Sequence, residues 1–451
     1  MRRGRPNTPL LVYMNGRIVG RLRREASGAV DFQYDSAWLA WESAIPASLS
    51  LPLREDRYIG APVTAVFDNL LPDNEMIRGR LAARVGADGI DAFSLLSAIG
   101  RDCVGALQFL PEGSDPSGPE MIAGDPVSHK EIAAILADLR ARPLGLDDSD
   151  HFRISLAGVQ DKTAFLRYRG QWLKPNGATP TTHIFKPQIG KLPGSDIDFS
   201  ESVENEYLCL TFLSALGLDA AQVEIQTFGG KRVLVVERFD RLFARDGRLL
   251  RRPQEDFCQA LSTPWTRKYE TDGGPGIADC LALLGASDEV ALDREAFMKR
   301  VIAFWLLGAT DGHAKNFSIF LHPRGGFRLT PLYDVLSVQP LVDTRQLGLN
   351  RFRMAMAVGD RRHYKVGGIL PRHFYQSGLK AGLGEATIRR LFAELVADAP
   401  LAIRSTRAAL PRWFPKDLAD SIFGGFTSRL ALLKRELDAP AGCANARSRL
   451  S

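Results

Sequence analysis

Within residues 304–320, FWLLGATDGHAKNFSIF, four chemically capable side chains share one polar turn: Asp311, His313, Lys315 and Asn316. Asn316 follows Asp311 after four intervening residues. That is the spacing of a protein-kinase catalytic loop, where the Asp takes the proton of a substrate hydroxyl and the Asn holds magnesium. Solvated turns are also rich in Asp, Asn and Gly, which tolerate turn conformations, so the loop alone leaves both readings open. The catalytic reading needs a nucleotide lysine, a phosphate loop and a second metal carboxylate elsewhere in the chain.

Each has a counterpart, in the order a kinase requires. Residues 155–162 (Ser155, Leu156, Ala157, Gly158, Val159, Gln160, Asp161, Lys162) lie between two strand-like runs. Backbone N–H groups of a tight turn can point at phosphate oxygens, and a lysine at the edge adds charge; an ordinary hairpin loop has the same composition. Lys186 ends an apolar strand that begins at Thr182, so its ammonium must snorkel or pair, and the position suits α- and β-phosphates. Glu204 or Glu206 on the next helix can pair with it; they point to different faces, so at most one does. Glu237, Arg238 and Phe239 close a very apolar strand and can offer backbone groups and a ring to an adenine, or form a plain strand end with a solvated charge pair. Asp334, in LTPLYD, follows Asn316 after a short hairpin. Magnesium takes hard oxygen ligands, so an Asn amide and one carboxylate suffice.

The elements that must hold these groups are legible. The apolar run 301–307 predicts a helix ending at Gly308, and the residues from 317 predict a strand. At the other end of the chain, Asn15-Gly16 between 10–14 and 17–22 predicts a hairpin. Strands are expected at 31–34, 48–53 and 104–110, and helices at 74–82, 91–99, 128–141 (Ser128 capping, Glu131 three on) and 201–216. Hairpins are expected at 223–237 and 317–329, and the remainder after 240 reads as helical through 437. A turn-rich break at 111–119 suggests a boundary. The 451 residues, with 45% hydrophobic and 24% charged, allow more than one core. A formal charge of +6 permits a phosphate-bearing or nucleic-acid partner without demanding one. Five dispersed cysteines with no CxxC pair argue against a disulfide framework or zinc site. No run is long enough for a signal core or a bilayer span, so a cytoplasmic protein without membrane contact is expected.

Taken together, ISLAGVQDKTAF, THIFKP, SVENEY, VVERFDR, GATDGHAKNFS and PLYDVLS, in this order, resemble the HipA family of bacterial serine/threonine kinase toxins, and FDNLLPDNE resembles that family's accessory N-terminal domain. The resemblance implies an α+β, two-lobed, protein-kinase-like fold. Its expected parts are an accessory subdomain over 1–126, a β-rich nucleotide lobe over 127–240, a helical catalytic lobe over 241–438 and a tail over 439–451. It implies ATP and Mg2+ as cofactors, with Asp311 as proton acceptor and Asn316 and Asp334 as metal ligands. Ala157 to Lys162 would form the phosphate loop, Lys186, His313, Lys315 and Tyr333 would lie at the nucleotide, and Glu237 to Phe239 would be the adenine hinge. Ser155 matches the serine that family members autophosphorylate, which ejects the loop and silences the kinase. The implied substrate is an aminoacyl-tRNA synthetase, whose inhibition favours dormancy, and the implied partner is a HipB-type helix-turn-helix antitoxin on operator DNA. Asp161 stands where the family often has Glu, and no glycine follows Asp334. A non-catalytic co-repressor working with the antitoxin, and a small-molecule kinase, remain alternatives to the protein kinase.

Overall fold

The computed structural model describes residues 8–114, 122–139, 143–146, 154–158, 160–192 and 194–439. They form an α+β protein of two compact units, one gathering residues 8–187, 224–268 and 318–328, the other 188–223, 269–317 and 329–439.

The first unit is built on two antiparallel sheets. Leu10–Met14 and Arg17–Arg24 pair around Asn15 and Gly16, both at positive φ (47° and 84°), the condition for a two-residue hairpin turn. Val30–Tyr34 and Tyr58–Ile59 extend this sheet on one side and Leu107–Pro111 on the other. The expected strand at 48–53 shrinks to one bridge between Ser48 and Leu51. Helices Glu75–Val85 and Ala92–Ile99 begin where Asn74 and Asp91 accept the N–H groups of Ile77 and Ser94. With helix Ala61–Asp68 they cover the sheet, and Phe67 meets both Phe32 and Phe109 edge-on at 5.4 Å.

This apolar cluster runs on without a break into Ile154, Leu156 and Ala164. The accessory region and the nucleotide lobe, expected to part near 126, therefore share one compact unit. Residues 115–121 of the turn-rich segment lie outside the described residues, as do 440–451 of the expected tail. The second sheet runs in the order Val223–Phe228, Lys231–Glu237, His183–Pro187, Thr163–Tyr168, Gln171–Pro175, Gly124–Pro126. Helix His129–Ala137, opened by the expected Ser128/Glu131 capping box, buries Ile132 against Phe165, Trp172 and Phe185.

Helix predominates after 240, as expected, but short strands interrupt it. Arg241–Phe243 pairs with Leu249–Arg251, and Gln254–Asp256 pairs with Ser318–Leu321; Arg353–Val358 and His363–Lys365 make another hairpin in the second unit. Most of these strands have only three or four residues, too few to show a period of two.

A buried ionic cluster fastens the two sheets. Asp102 faces Arg241, Arg238 and Arg251 at 2.8, 3.3 and 3.4 Å and accepts the Thr181 N–H and hydroxyl. Asp240 takes Arg238 and Arg241 at 2.9 Å each and the Gly105 N–H at 2.7 Å. Burial alone would raise the Asp102 carboxyl, but Arg241, Arg238 and Arg251 outweigh it and hold it well below the usual carboxylate range.

In the second unit, helix Val290–Leu307 packs against Glu385–Ala409 and Lys416–Asp438, and Ser202–Ala215 joins them. Phe212 meets Phe423 and Phe426 edge-on, and fully buried Trp305 donates its indole N–H to the Val366 carbonyl at 3.2 Å. Among the described residues no helix is long and apolar enough to cross a membrane.

Two stability predictions follow from the first unit. Asp102→Asn leaves buried guanidinium groups undercompensated and should cost about 3–5 kcal/mol in denaturant unfolding; a loss below about 1 kcal/mol would show that Asp240 alone carries the cluster. Buried Glu255, whose Oε1 accepts the Leu49 N–H at 2.8 Å, is pushed by burial from 4.5 to about 8. Its folded value lies above its unfolded one, so its contribution is intact below pH about 4.5 and is lost as the pH rises through about 8. Glu255→Gln should therefore flatten the fall in melting temperature between those limits. An unchanged pH slope would contradict this.

Candidate active site

In the second unit, the end of helix Val290–Leu307 presents the catalytic-loop residues. Gly308, at φ 67°, terminates the helix, and the Ala309 N–H reaches back to the Phe304 carbonyl at 2.9 Å. A Cβ on Gly312 would lie 2.5 Å from the Phe304 ring, so only glycine lets the loop cross that ring. The Asp311 carbonyl accepts both the His313 N–H and the Asn316 Nδ2, each at 2.8 Å. His313, Lys315 and Asn316 are buried, whereas the Asp311 side chain is 61% exposed. The loop is thus a rigid buried frame carrying one accessible carboxylate. Its Oδ1 accepts the Tyr269 hydroxyl at 2.7 Å and lies 3.9 Å from His313 Nε2.

Asp334 is brought beside this loop by its own segment. Leu332 is sandwiched between Asp219 and Ala221 through backbone bonds of 2.8 and 2.7 Å, and the Tyr333 hydroxyl donates to the Lys315 carbonyl at 3.0 Å. Further on, the Ser337 hydroxyl donates to the Leu307 carbonyl at 2.6 Å, and Asn205 bonds both backbone groups of Ser337. Asp334 itself sits at φ 58°, a conformation non-glycine residues seldom adopt and which is often found at functional sites. Asn316 and Asp334 offer an amide oxygen and a carboxylate, which is the hard, sparse donor set that magnesium accepts when phosphates complete its shell. Among the described residues no cluster of three His, Cys, Asp or Glu could hold a metal without such help.

The phosphate-loop residues lie in the first unit. Gly158, at φ 101°, forms a parallel bridge with Pro72, and its carbonyl accepts the Asp73 N–H at 3.3 Å. Lys162 folds under the turn and donates to the Ala157 carbonyl; a Cβ on Gly158 would lie 2.6 Å from its Nζ. Gln160 Nε2 donates to the Pro187 carbonyl at 2.9 Å, tying the loop to the strand that carries buried Lys186 opposite Leu234. Asp161 is half-buried, and Val159 lies outside the described residues. Glu204 and Glu206 are buried on helix Ser202–Ala215 of the second unit.

Ser155 is fully buried, with its Oγ donating to the Leu70 carbonyl at 2.8 Å and its N–H to the Asp102 carbonyl at 2.9 Å. Of the two readings of Glu237 and Arg238, the solvated charge pair does not hold for Arg238. Its guanidinium belongs to the Asp102–Asp240 cluster, and its N–H is taken by the Thr182 carbonyl at 2.9 Å. Glu237 remains exposed, and Phe239 packs edge-on against Phe320 at 5.7 Å.

Sequence reasoning missed two participants. The segment Leu70 to Asp73 supplies the backbone groups on which the phosphate loop rests; no side-chain chemistry marks it, only its place inside FDNLLPDNE. Tyr269 reaches Asp311 from 42 residues away, a separation no spacing rule spans.

Comparison with known proteins places these features. Residues 154–403 match the model of the HipA-like C-terminal domain, and residues 10–110 match that of the HipA N-terminal domain. The protein Y4mE of Sinorhizobium fredii is 36% identical over 399 residues, covering 87% of this chain and 90% of its own. The serine/threonine-protein kinase toxin HipA of Shewanella oneidensis is 28% identical over 364 residues, 78% of each chain. The solved complex of HipA, HipB and operator DNA from Shewanella oneidensis contains a chain that superposes with a TM-score of 0.77 at 25% identity, covering 96% of this chain and all of that one. The two domain matches fall in chain order on the segments that cradle the phosphate loop and carry Asp311, and the chain is a member of the HipA kinase family.

Proposed function

We propose that this chain is an ATP- and magnesium-dependent serine/threonine protein kinase acting as the toxin of a toxin–antitoxin module. The observation that carries this reading is the accessible Asp311 carboxylate on a loop whose other polar residues are buried and bonded. Such an arrangement suits a general base that must meet a macromolecular acceptor without losing its own position. Asp311 takes the proton of an acceptor serine or threonine hydroxyl. The hydroxyl oxygen forms the new P–O bond as the bond to the leaving ADP breaks. Lys186 and the backbone N–H groups of the phosphate loop are donors suited to phosphate oxygens, as are His313 and Lys315 on the catalytic loop. Glu237 and Phe239 border the adenine, and Tyr333 anchors the Asp334 segment. Asn316 and Asp334 would hold the magnesium, whose charge would offset that of the phosphates.

The acceptor in this reading is an aminoacyl-tRNA synthetase, whose modification halts translation and favours dormancy. A HipB-type antitoxin restrains the kinase and joins it on operator DNA; the relative solved with HipB and operator DNA supports that partnership. Ser155 limits the activity by self-phosphorylation. A phosphate there adds nearly two negative charges against the Leu70 carbonyl in a site that holds a neutral hydroxyl with no exposure, so the modified loop has to leave its seat.

Asp311→Ala should lower transfer from labelled ATP to a synthetase panel by about 10²–10⁴-fold while ATP binding and melting temperature stay near those of the parent. Retained transfer would remove Asp311 from the role, and retained toxicity in cells alongside it would favour the co-repressor. In Ser155→Ala, incubation with magnesium-ATP should no longer lead to progressive loss of activity, and expression should be more harmful. Intact mass spectra of the parent chain showing no added phosphate while activity is still lost would contradict the proposed brake.

A further inference from the structure

Tyr269 has no part in the reading so far, yet its hydroxyl makes the shortest side-chain contact described on the Asp311 carboxylate, 2.7 Å from Oδ1. Its ring also meets the buried His313 ring edge-on, with centroids 4.8 Å apart at 85°. The backbone around it is closed into a tight turn. The Tyr269 carbonyl accepts the N–H groups of Asp272 at 3.0 Å and Gly274 at 2.9 Å, and Gly273 takes φ 84°.

The next residue clamps that turn to the hairpin Arg353–Val358/His363–Lys365. The largely buried Glu270 carboxylate accepts the Ala357 N–H and pairs with Arg362 at 3.1 Å. Gly276 crosses directly above it: a Cβ there would lie 2.8 Å from Glu270 Oε1. Two independent anchors, the Glu270 clamp and the His313 edge contact, thus aim one phenol at one carboxylate oxygen.

An exposed hydrogen bond between two side chains that water can replace contributes little to folding. Its effect on a catalytic group is larger, because a free aspartate side chain samples several rotamers while a general base must meet its proton donor in one. We propose that Tyr269 is a positioning residue for the Asp311 base: its hydroxyl holds Oδ1, fixes the carboxylate plane and leaves Oδ2 to receive the acceptor hydroxyl, with Glu270 and Arg362 holding the turn that carries it. This inference rests on the kinase reading of Asp311.

The test uses the full chain with saturating magnesium-ATP and follows ADP release, which counts transfer to any acceptor including water, with ATP titrations and melting curves alongside. Tyr269→Phe keeps the ring against His313 and removes only the hydroxyl. It should lower the maximal rate about 10- to 100-fold, with half-saturating ATP changed less than about twofold and the melting temperature unmoved. Glu270→Gln, which loosens the Arg362 pairing, should fall between Tyr269→Phe and the parent. A Tyr269→Phe rate equal to the parent's, or a loss seen only as weaker ATP binding, would sink the proposal. A faster Tyr269→Phe would mean that Tyr269 plugs the base rather than aligning it, and sinks it equally. A parent chain whose ADP release is no greater than that of Asp311→Ala sinks the kinase reading and this inference together, whereas an active parent with an undiminished Tyr269→Phe sinks only this one.

Discussion

Asp102 and Asp240 stand against Arg238, Arg241 and Arg251 with no water-accessible side chain among them. Two carboxylates cannot balance three guanidinium groups in a dry site, and the remainder is met by backbone: the Cys103 carbonyl takes both Arg238 and Arg241, the Gly105 carbonyl Arg241, and the Ala178 carbonyl Arg251. The cluster joins the end of the accessory helices, the turn before strand His183–Pro187 and the exit of strand Lys231–Glu237. A buried charge cluster is strongly directional, since breaking one partner costs several kcal/mol while apolar contacts tolerate a slide. It therefore fixes the register between the accessory sheet and the sheet that carries Lys186.

That register matters for the phosphate loop. Ser155 bonds the Asp102 carbonyl on one side and the Leu70 carbonyl on the other, and Gly158 bridges Pro72. The loop is thus not a self-supporting glycine-rich turn, and one glycine suffices because the accessory region supplies the rest of the cradle. The price of that economy is dependence: a loop held by backbone bonds from another segment can be displaced whole by one added charge.

What could be read from the sequence follows the range of the interactions involved. The Asn15-Gly16 hairpin, the cap at Ser128 and the helix stop at Gly308 are local, and each appears where its residues predict. The order of Lys186, Asp311, Asn316 and Asp334 is local within each motif, so the motifs could be named singly. A strand-end Glu-Arg pair such as Glu237-Arg238 looks solvated in sequence, because the Asp102 that faces Arg238 lies 136 residues away. The three-residue strands after 240 carry no period to detect, and Tyr269 carries no motif at all.

Asp311 illustrates why a site of this kind resists reading from composition. Its exposure by itself would class it as a surface aspartate, and its neighbours' burial would class them as core. Only their combination is informative, because burying His313, Lys315 and Asn316 is unfavourable unless each is bonded. The frame they form around the Asp311 carbonyl constrains the backbone and leaves the carboxylate rotamer open. The Tyr269 hydroxyl is the group described that closes that last degree of freedom, so precision at the base rests on a turn whose own anchor is Glu270.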